Sequence, residues 1–322
     1  MNLILKKLEK KKIVDIRDAV FFSVLKIMKN NKKVIILTND MSAFGLEVIK
    51  KQFPKRVINV GVSEQNMISV ASGFAQSGFS VFVYGIISHV VFRALEQIKI
   101  DICIQNLPVV ILGVGAGLSY GADGPTHHGV DDIAVMRSIP NMNIYNPSDP
   151  YLAKKLVFDA YYSKKASYLR IDKEKLPELY NSKQIIKSRN YFLHGKKNNG
   201  LLICSGLTTW LGLKVRESFY KNDFQLSILD LYKINNKTDK NLLLILNSAK
   251  FICILEESID PSPIASYIST MCLSNGIYKK LKIYNLKSEF FLGSATREHV
   301  WRLKAFNSDF IKKEIIKTFH EI

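Results

Sequence analysis

The chain has 322 residues, of which 47% are hydrophobic and 23% are charged, and its formal net charge is +18. This length allows two domains with buried cores, and no apolar run reaches the roughly 18 to 20 residues that a membrane span requires. The lysine-rich start, residues 1–12, lacks the apolar stretch of a secretory signal. The four cysteines form no CxxC pair, so we expect reduced core thiols and a cytoplasmic location.

The positive charge is spread along the chain and is not concentrated in one motif. Scattered lysines without a recognised binding motif argue against a nucleic-acid partner. A basic surface instead favours the approach of anionic small molecules or of an acidic protein partner.

Apolar runs with strand character alternate with segments of helical spacing along the first part of the chain. The pattern predicts strands at 34–38, 57–62, 80–84, 109–114, 143–145 and 167–171. It predicts helices at 17–29, 64–76, 91–105 and 150–162. Such an alternation is typical of a mostly parallel sheet with helices on both faces.

A polar stretch at 172–199 follows, and its composition indicates a linker. Beyond it a second alternation predicts helices at 208–220 and 263–274 and strands at 201–204, 227–230, 251–255 and 282–284. The sequence therefore predicts an α/β fold with two doubly wound domains, at 1–185 and 200–322, of which the second is smaller.

The segment VGVSEQNM at 60–67 places a carboxylate at the junction of a predicted strand and a predicted helix. Ser63 is suited to cap the helix, and Glu64 opens it just beyond the carboxyl end of the strand. Ligands collect at this edge of α/β sheets. A glutamate in a first turn also complements the helix dipole, so that role remains open for Glu64.

A second segment, GVGAGLSYGADGPTHHG at 113–129, follows the apolar run 109–112. Its glycines let the backbone approach a ligand closely. Its later residues offer several proton donors and acceptors close together: Asp123, Thr126, His127 and His128. Loops of this length without regular structure are usually functional or disordered. The glycine spacing disfavours a dinucleotide site, and adjacent histidines disfavour a metal site.

Together these segments resemble the transketolase family of thiamine diphosphate enzymes. The resemblance extends through TNDM at 38–41, RVINV at 56–60, IPNM at 139–142 and NPSD at 146–149. It covers nearly the whole chain, more weakly after about residue 180. The chain looks most like the separately encoded C-terminal subunit of a split transketolase. That resemblance implies a pyrimidine-binding domain followed by a smaller domain of the transketolase C-terminal type.

The resemblance also implies a partner and an activity. Family members hold magnesium and the diphosphate through a Gly-Asp-Gly motif in an N-terminal domain, and this chain contains no Gly-Asp-Gly. We therefore expect a separate N-terminal subunit to supply the Mg²⁺ ligands, with two such pairs forming a heterotetramer. The expected reaction is transfer of a two-carbon ketol unit from a ketose, as a sugar phosphate, to an aldose acceptor. By itself the chain should be inactive.

Three residues are predicted as catalytic by this resemblance. Glu64 matches the glutamate that hydrogen-bonds a pyrimidine nitrogen of the cofactor and favours its imino tautomer, whose exocyclic nitrogen removes the thiazolium proton. Asp123 and His127 match the acid and the histidine that bind the hydroxyl and carbonyl region of the donor sugar. They would orient the ketose and move protons during cleavage.

Other predicted contacts leave alternatives open. Asp40 matches an acid near the cofactor, but it also stands where a turn needs a cap. Arg93 matches a position below the pyrimidine, where a salt bridge is an equal alternative. Arg170 matches a phosphate-binding position but also suits ordinary ion pairs. His89 is predicted to face the substrate, and His128 is either a substrate contact or a structural hydrogen-bonding residue.

The sequence departs from the family in two places. Aliphatic side chains, Ile87 and Val90, stand where the family usually places aromatic rings against the pyrimidine. We predict that they form an aliphatic floor, with some loss of the roughly 0.5–1.5 kcal/mol that aromatic pairing contributes. In the second domain the segment EES at 256–258 lacks the glycine-rich turn that often follows a Glu-Glu pair.

Three alternatives to a transketolase subunit remain open from the sequence. The EQNM and GPTH segments disfavour the beta subunit of a two-oxoacid dehydrogenase. The missing arginine before the Ala-Gly of the glycine-rich segment disfavours a deoxyxylulose-phosphate synthase fragment. A non-catalytic scaffold subunit is suggested by Ile87 and Val90, but it does not explain why Glu64, Asp123 and His127 are retained together.

Overall fold

The computed structural model describes residues 4–8, 11–185, 190–196, 200–219, 225–234 and 239–321. Residues 186–189 and 197–199 of the predicted linker, and Tyr220 at the end of a predicted helix, lie outside these ranges. No helix within them combines the length and the apolar character that a membrane crossing needs.

The helices carry the following bounds. They are α1 (Ile4–Leu8), α2 (Ile16–Asn30), α3 (Phe44–Gln52), α4 (Glu64–Gln76), α5 (Ile87–Phe92), α6 (Leu95–Gln97), α7 (Asp132–Arg137), α8 (Pro150–Ser163), α9 (Thr208–Glu217), α10 (Lys240–Ser248), α11 (Pro263–Ser274), α12 (Arg297–Leu303) and α13 (Ser308–His320). A π-helix occupies Ile98–Ile104, and short 3₁₀ turns occupy Pro54–Arg56 and Gly121–Asp123.

The strands form two larger sheets and one small ribbon. They are β1 (Ile13–Asp15), β2 (Val34–Thr38), β3 (Val57–Asn59), β4 (Ser80–Ile86), β5 (Val109–Val114), β6 (Asn143–Tyr145), β7 (Ser167–Ile171), β8 (Lys175–Pro177), β9 (Tyr191–His194), β10 (Gly200–Cys204), β11 (Leu226–Leu231), β12 (Lys233–Ile234), β13 (Ile252–Leu255) and β14 (Leu281–Tyr284). The ribbon pairs β1 with β8 in antiparallel fashion.

The first sheet has seven strands in the order β12-β6-β7-β5-β4-β2-β3. All its neighbours pair in parallel except β12, which runs antiparallel to β6. Helices α2, α3 and α8 pack on one face, and α4, α5 and the π-helix pack on the other. Strands β2, β5 and β7 are therefore buried along their whole length, which explains their continuous apolar sequences. The predicted doubly wound architecture is confirmed for this domain.

The second sheet has five strands in the order β14-β13-β10-β11-β9, with only the edge strand β9 antiparallel. Its faces are covered by α9 and α13 on one side and by α10 and α11 on the other. Strand β9 falls inside the predicted linker yet belongs to this sheet. Strand β12, from the second half of the chain, completes the first sheet, so the two halves share structure across the predicted boundary.

Two predicted elements are wrong in detail. The strand expected at 57–62 ends at Asn59 as β3. The helix expected at 91–105 is divided into α5, α6 and the π-helix. The backbone leaves the helical region at Ala94, where φ is −113° and ψ is 20°. The wider turns of the π-helix then keep Ile98 and Ile102 buried against α4 while Ile100 and Ile104 remain exposed.

Candidate active site

The carboxyl ends of four neighbouring strands meet at one edge of the first sheet. The segments that follow them carry Asn39 after β2, Glu64 after β3, His89 after β4 and the glycine-rich segment after β5. Because the strands are parallel, these segments emerge on the same side of the sheet. The fold therefore brings together residues that are far apart in sequence.

Glu64 is held by two donors at this edge. Its Oε1 atom accepts hydrogen bonds from Asn39 Nδ2 at 2.9 Å and from Arg93 Nη1 at 3.0 Å. Only 4% of Glu64 is exposed. Burial alone raises the pKa of this carboxyl, but hydrogen bonds from its own backbone N–H and from Arg93 outweigh burial and lower the pKa overall. Glu64 is therefore ionised at neutral pH.

The start of α4 is not capped in the predicted way. Ser63 occupies the expected position, but its hydroxyl donates to the Val60 carbonyl at 2.9 Å and makes no capping bond. Next to Glu64, the Asn39 Oδ1 atom is buried and has no hydrogen-bond partner among the described residues. The edge thus presents a carboxylate beside a further acceptor, an arrangement that a ligand with N–H donors would satisfy.

Arg93 and Asp40 show the structural alternatives that the sequence left open. The Arg93 side chain is half-exposed and forms an ion pair with Glu64. Asp40 adopts a positive φ of 62°, and it exchanges hydrogen bonds with Asn59 in which each residue donates once. That exchange closes the turn after β2. A ligand contact by either residue remains a prediction.

The residues of the predicted aliphatic floor lie in the core. Ile87 and Val90 have no exposed surface. Helix α5 begins directly at the end of β4, which turns both side chains into the core, where Ile87 lies against Gly113 and Gly129. The structure therefore gives no support to the aliphatic floor, and a ligand contact by either side chain remains a prediction.

His89, which interacts electrostatically with Glu64, contacts His127 of the glycine-rich segment. The rings of His89 and His127 meet edge to face, with centroids 4.9 Å apart, and the Tyr120 ring lies 6.0 Å from His127. Thr126 Oγ1 and His127 Nδ1 are 2.9 Å apart. Burial lowers the pKa of His89, and the nearby Arg93 and His127 add to that effect. His89 is therefore predominantly neutral at neutral pH.

The other two residues of this segment occupy different environments. Asp123 is exposed and ends the short turn Gly121–Asp123. His128 is buried, with Nε2 3.5 Å from the Gly121 carbonyl oxygen, and burial lowers its pKa. His128 thus faces the loop's own backbone, which agrees with its structural alternative, while Asp123 is accessible.

Arg170 lies beneath the segment and not on its surface. Its Nε atom donates to both carboxylate oxygens of Asp132, at 3.2 and 3.0 Å, and its Nη2 donates to the Gly129 carbonyl. Only 6% of Arg170 is exposed. The guanidinium is committed to an internal ion pair, so the structure gives no support to the predicted phosphate contact.

Sequence reasoning missed a basic group beside Asp123. Lys173 Nζ lies 3.7 Å from the centroid of the Tyr120 ring. Arg17 pairs with Asp15 and interacts electrostatically with Tyr120 and Lys173. Burial, reinforced by Arg17, lowers the pKa of Lys173. The available signal was the position of Lys173, two residues beyond the end of β7.

Among the described residues, no group of three or more His, Cys, Asp and Glu side chains is arranged to hold a metal ion. The site instead consists of a buried ionised carboxylate, two histidines in edge-to-face contact, an exposed aspartate and a basic flank. This combination can accept hydrogen bonds from a heterocycle, transfer protons and attract an anion.

Comparisons with known proteins agree with this architecture. Residues 12–178 match the family described as transketolase, pyrimidine binding domain. The chain is 31% identical over 219 residues to one subunit of the apulose-4-phosphate transketolase of Phocaeicola vulgatus, covering 66% of this chain and 69% of that protein. It is 29% identical over 269 residues to the 1-deoxy-D-xylulose-5-phosphate synthase of Dehalococcoides mccartyi, covering 81% of this chain and 40% of the synthase.

A solved structure shares the fold over nearly the whole chain. It is described as a split gene transketolase, inactive beta4 tetramer, and it matches with a TM-score of 0.82. The match covers 94% of this chain and 98% of that one, at 20% sequence identity.

Proposed function

The chain belongs to the transketolase family, and from that premise we propose that it is the C-terminal subunit of a two-polypeptide transketolase. The reaction is transfer of a two-carbon ketol unit from a ketose phosphate to an aldose. Similarity to a transketolase subunit of P. vulgatus, over 69% of that protein, supports a split enzyme. The observation that carries the proposal is the buried, ionised Glu64 beside the Asn39 Oδ1 acceptor, which has no partner in the part of the chain that the structure describes.

The residues at the sheet edge fit the aminopyrimidine half of thiamine diphosphate. Glu64 would accept a hydrogen bond from a pyrimidine nitrogen, and Asn39 Oδ1 would gain the donor it lacks. Asn39 and Arg93 hold the carboxylate in one orientation. When bound, the cofactor supplies a carbon nucleophile. The Mg²⁺ and diphosphate ligands are assigned to the partner subunit.

The histidines and Asp123 serve the donor sugar in this proposal. His127 and His89 lie in contact, so a ketose placed against them would meet two imidazoles that can pass a proton. His89 is neutral and can both donate and accept. Asp123 would accept a hydrogen bond from a sugar hydroxyl. The basic flank of Arg17 and Lys173 favours a phosphorylated ketose over a neutral one.

The partner subunit is proposed to cover this edge. Two large apolar side chains are strongly exposed beside it: Phe44, at the start of α3, is 69% exposed and Val62, just before α4, is 68% exposed. Apolar side chains around a polar site are typical of an interface. We assign them to contact with an N-terminal subunit, within a heterotetramer of two such pairs.

Calorimetry tests this proposal. Thiamine diphosphate with Mg²⁺ is titrated into the chain alone, into a Gly-Asp-Gly-containing N-terminal subunit from the same organism, and into their mixture. We expect tight binding only in the mixture, and its loss with Glu64→Gln. Tight binding to the chain alone would contradict a shared site. Association of the two proteins without cofactor binding would indicate a scaffold.

A synthase-type reaction is the second candidate. The similarity to the D. mccartyi synthase over 81% of this chain favours it. The two reactions differ in their donor, so the assembled enzyme is offered either a ketose phosphate or pyruvate, each with an aldose phosphate. Turnover with pyruvate and release of CO₂, together with no turnover of the ketose phosphate, would contradict the transketolase assignment and support the synthase-type reaction.

A further inference from the structure

Side chains of the second domain form hydrogen bonds with the glycine-rich segment at several points. Arg297, the first residue of α12, donates from Nη2 to the Ala116 carbonyl at 2.7 Å and to Ser119 Oγ at 2.9 Å. Ser294 Oγ donates to the Ala122 carbonyl at 2.7 Å. These contacts cross about 170 to 180 positions of sequence and end directly before Asp123. The loop is therefore held from outside its own domain.

The loop backbone is fitted closely against this second-domain surface. A Cβ atom at Gly117, where φ is +59°, would collide with the Glu257 carboxylate. A Cβ atom at Gly121 would lie 2.5 Å from the Ala295 carbonyl oxygen. Glycine is needed at both positions because the opposing domain fills the space that a side chain would use. We call the set of Glu257, Ser294, Ala295 and Arg297 the loop clamp.

Arg297 is the centre of the loop clamp. Only 5% of it is exposed, and each of its guanidinium nitrogens has an acidic acceptor. Nε donates to Glu257 Oε1 at 3.0 Å, Nη2 to Asp172 Oδ2 at 2.8 Å and Nη1 to Glu174 Oε1 at 3.0 Å. Burial opposes the charged form, but Asp172 and Glu257 outweigh it and raise the pKa of Arg297. The guanidinium thus joins the end of β7, the end of β13 and the loop.

The restraints within the loop are local: turn hydrogen bonds run from the Gly121, Asp123 and His127 N–H groups to carbonyls three residues earlier. Its ends are tied by reciprocal backbone bonds between Gly117 and Gly129, at 2.7 and 2.9 Å. Between these residues its regular structure is the single turn Gly121–Asp123. Segments with little local structure open easily unless other elements hold them. The position of Asp123 and His127 relative to His89 therefore depends on contacts from outside the loop.

We propose that Arg297 is a positioning residue for the transferred sugar: through the loop clamp it fixes the loop conformation in which Asp123 and His127 face the donor. The role of Asp123 and His127 in this inference rests on the proposed function, whereas the restraint of the loop by Arg297 does not. Misplacement of a binding group by about 1 Å can cost about 10²-fold in rate, so an indirect residue can have a large effect.

Hydrogen–deuterium exchange on the full chain tests the clamp without any activity. Arg297→Lys keeps the positive charge among the buried acids but cannot reach the same set of acceptors. We expect exchange in peptides covering 116–129 to accelerate about 10-fold or more, with β5 and α4 unchanged. Arg302→Lys, exposed on the same helix, and Arg137→Lys, which removes a bond to the Pro263 carbonyl of the second domain, are the controls. Unchanged exchange at 116–129 would overturn the proposal.

Kinetics of the assembled enzyme test the positioning role. With Arg297→Lys we expect kcat/KM for the ketose phosphate to fall about 10- to 100-fold while the affinity for thiamine diphosphate stays within twofold, because Glu64 is untouched. Faster exchange at 116–129 with unchanged kcat/KM for the ketose phosphate would overturn the proposal. A loss of rate that only matches the loss of folded protein would also overturn it. Absence of ketol transfer by the wild-type complex would instead refute the proposed function, while the exchange result would still decide the clamp.

Discussion

The two sides of the candidate site are held by different kinds of structure. On the acid side, Glu64 stands at the first position of a long helix, and its partners Asn39 and Arg93 follow neighbouring strands of the same sheet. On the loop side, Asp123 and His127 lie in a segment with little regular structure that the second domain restrains. A group on a regular element is positioned by its own domain, whereas a group on a loop depends on distant contacts.

The largest effect is expected from the acid side. Glu64→Gln keeps the shape and the hydrogen bond from Asn39 but removes the negative charge. We expect the rate of the assembled enzyme to fall by about 10²–10⁴, the usual contribution of general acid–base catalysis. Glu96→Gln, an exposed substitution of the same kind, serves as the control. Near-normal turnover by Glu64→Gln would mean that Glu64 does not perform the acid–base role proposed for it.

A smaller effect, of a different type, is expected from the loop side. Asp123 is exposed, so Asp123→Asn should leave the fold intact. We expect kcat/KM for the ketose phosphate to fall about 10²-fold, with the affinity for thiamine diphosphate unchanged. Steady-state kinetics and calorimetry together separate the two quantities. If cofactor affinity fell as well, the acid side and the loop side would not be independent.

The pH dependence of the rate tests how the acid side is held. Arg93 lowers the pKa of Glu64, so Arg93→Met should raise that pKa, because burial then acts with less opposition. The ionised form would be lost at a higher pH as the pH falls. The acid limb of the pH–rate profile should therefore move to higher pH, with little change on the alkaline side. Arg302→Met is the control, and an acid limb that stays in place would show that Arg93 does not tune Glu64.

The same contrast explains which features the sequence predicted. Helix α4 and strands β2 and β5 have the predicted bounds, because apolar periodicity is a local property and these elements bury one defined face or both. The junction that carries Glu64 follows from that order of elements. These parts of the site were accessible to sequence reasoning because regular elements of one domain position them.

The features that sequence reasoning missed depend on long-range pairing. Strand β12 joins the first sheet by pairing with β6, and the predicted linker contains β9, whose partner β11 follows much later. Arg170 has the right residue type for phosphate, but Asp132, 38 positions earlier, takes its guanidinium. The burial of Ile87 and Val90 follows from the immediate turn from β4 into α5. No local pattern specifies such partners.

The smallest expected effect concerns the start of α4. Ser63 stands at the capping position, but its hydroxyl bonds the Val60 carbonyl, so Ser63→Ala removes one partly exposed hydrogen bond and no cap. We expect the free energy of unfolding to fall by only about 0.5 kcal/mol, at the lower end for a hydrogen bond. Asn307→Ala is the matched control, since Asn307 does cap α13 through the Phe310 N–H at 3.0 Å. That change should cost about 1 kcal/mol.

Urea unfolding of the two variants makes this last comparison. If Ser63→Ala cost as much as Asn307→Ala, Ser63 would act as a cap in solution, and the orientation of Glu64 would depend partly on its neighbour. If the cost is small, the Glu64 carboxylate is held by Asn39, Arg93 and its own backbone N–H without help from a serine cap. Ser63, which the sequence suggested as a helix cap, would then play no part in orienting Glu64. The orientation would depend on the residues at the carboxyl edge of the first sheet.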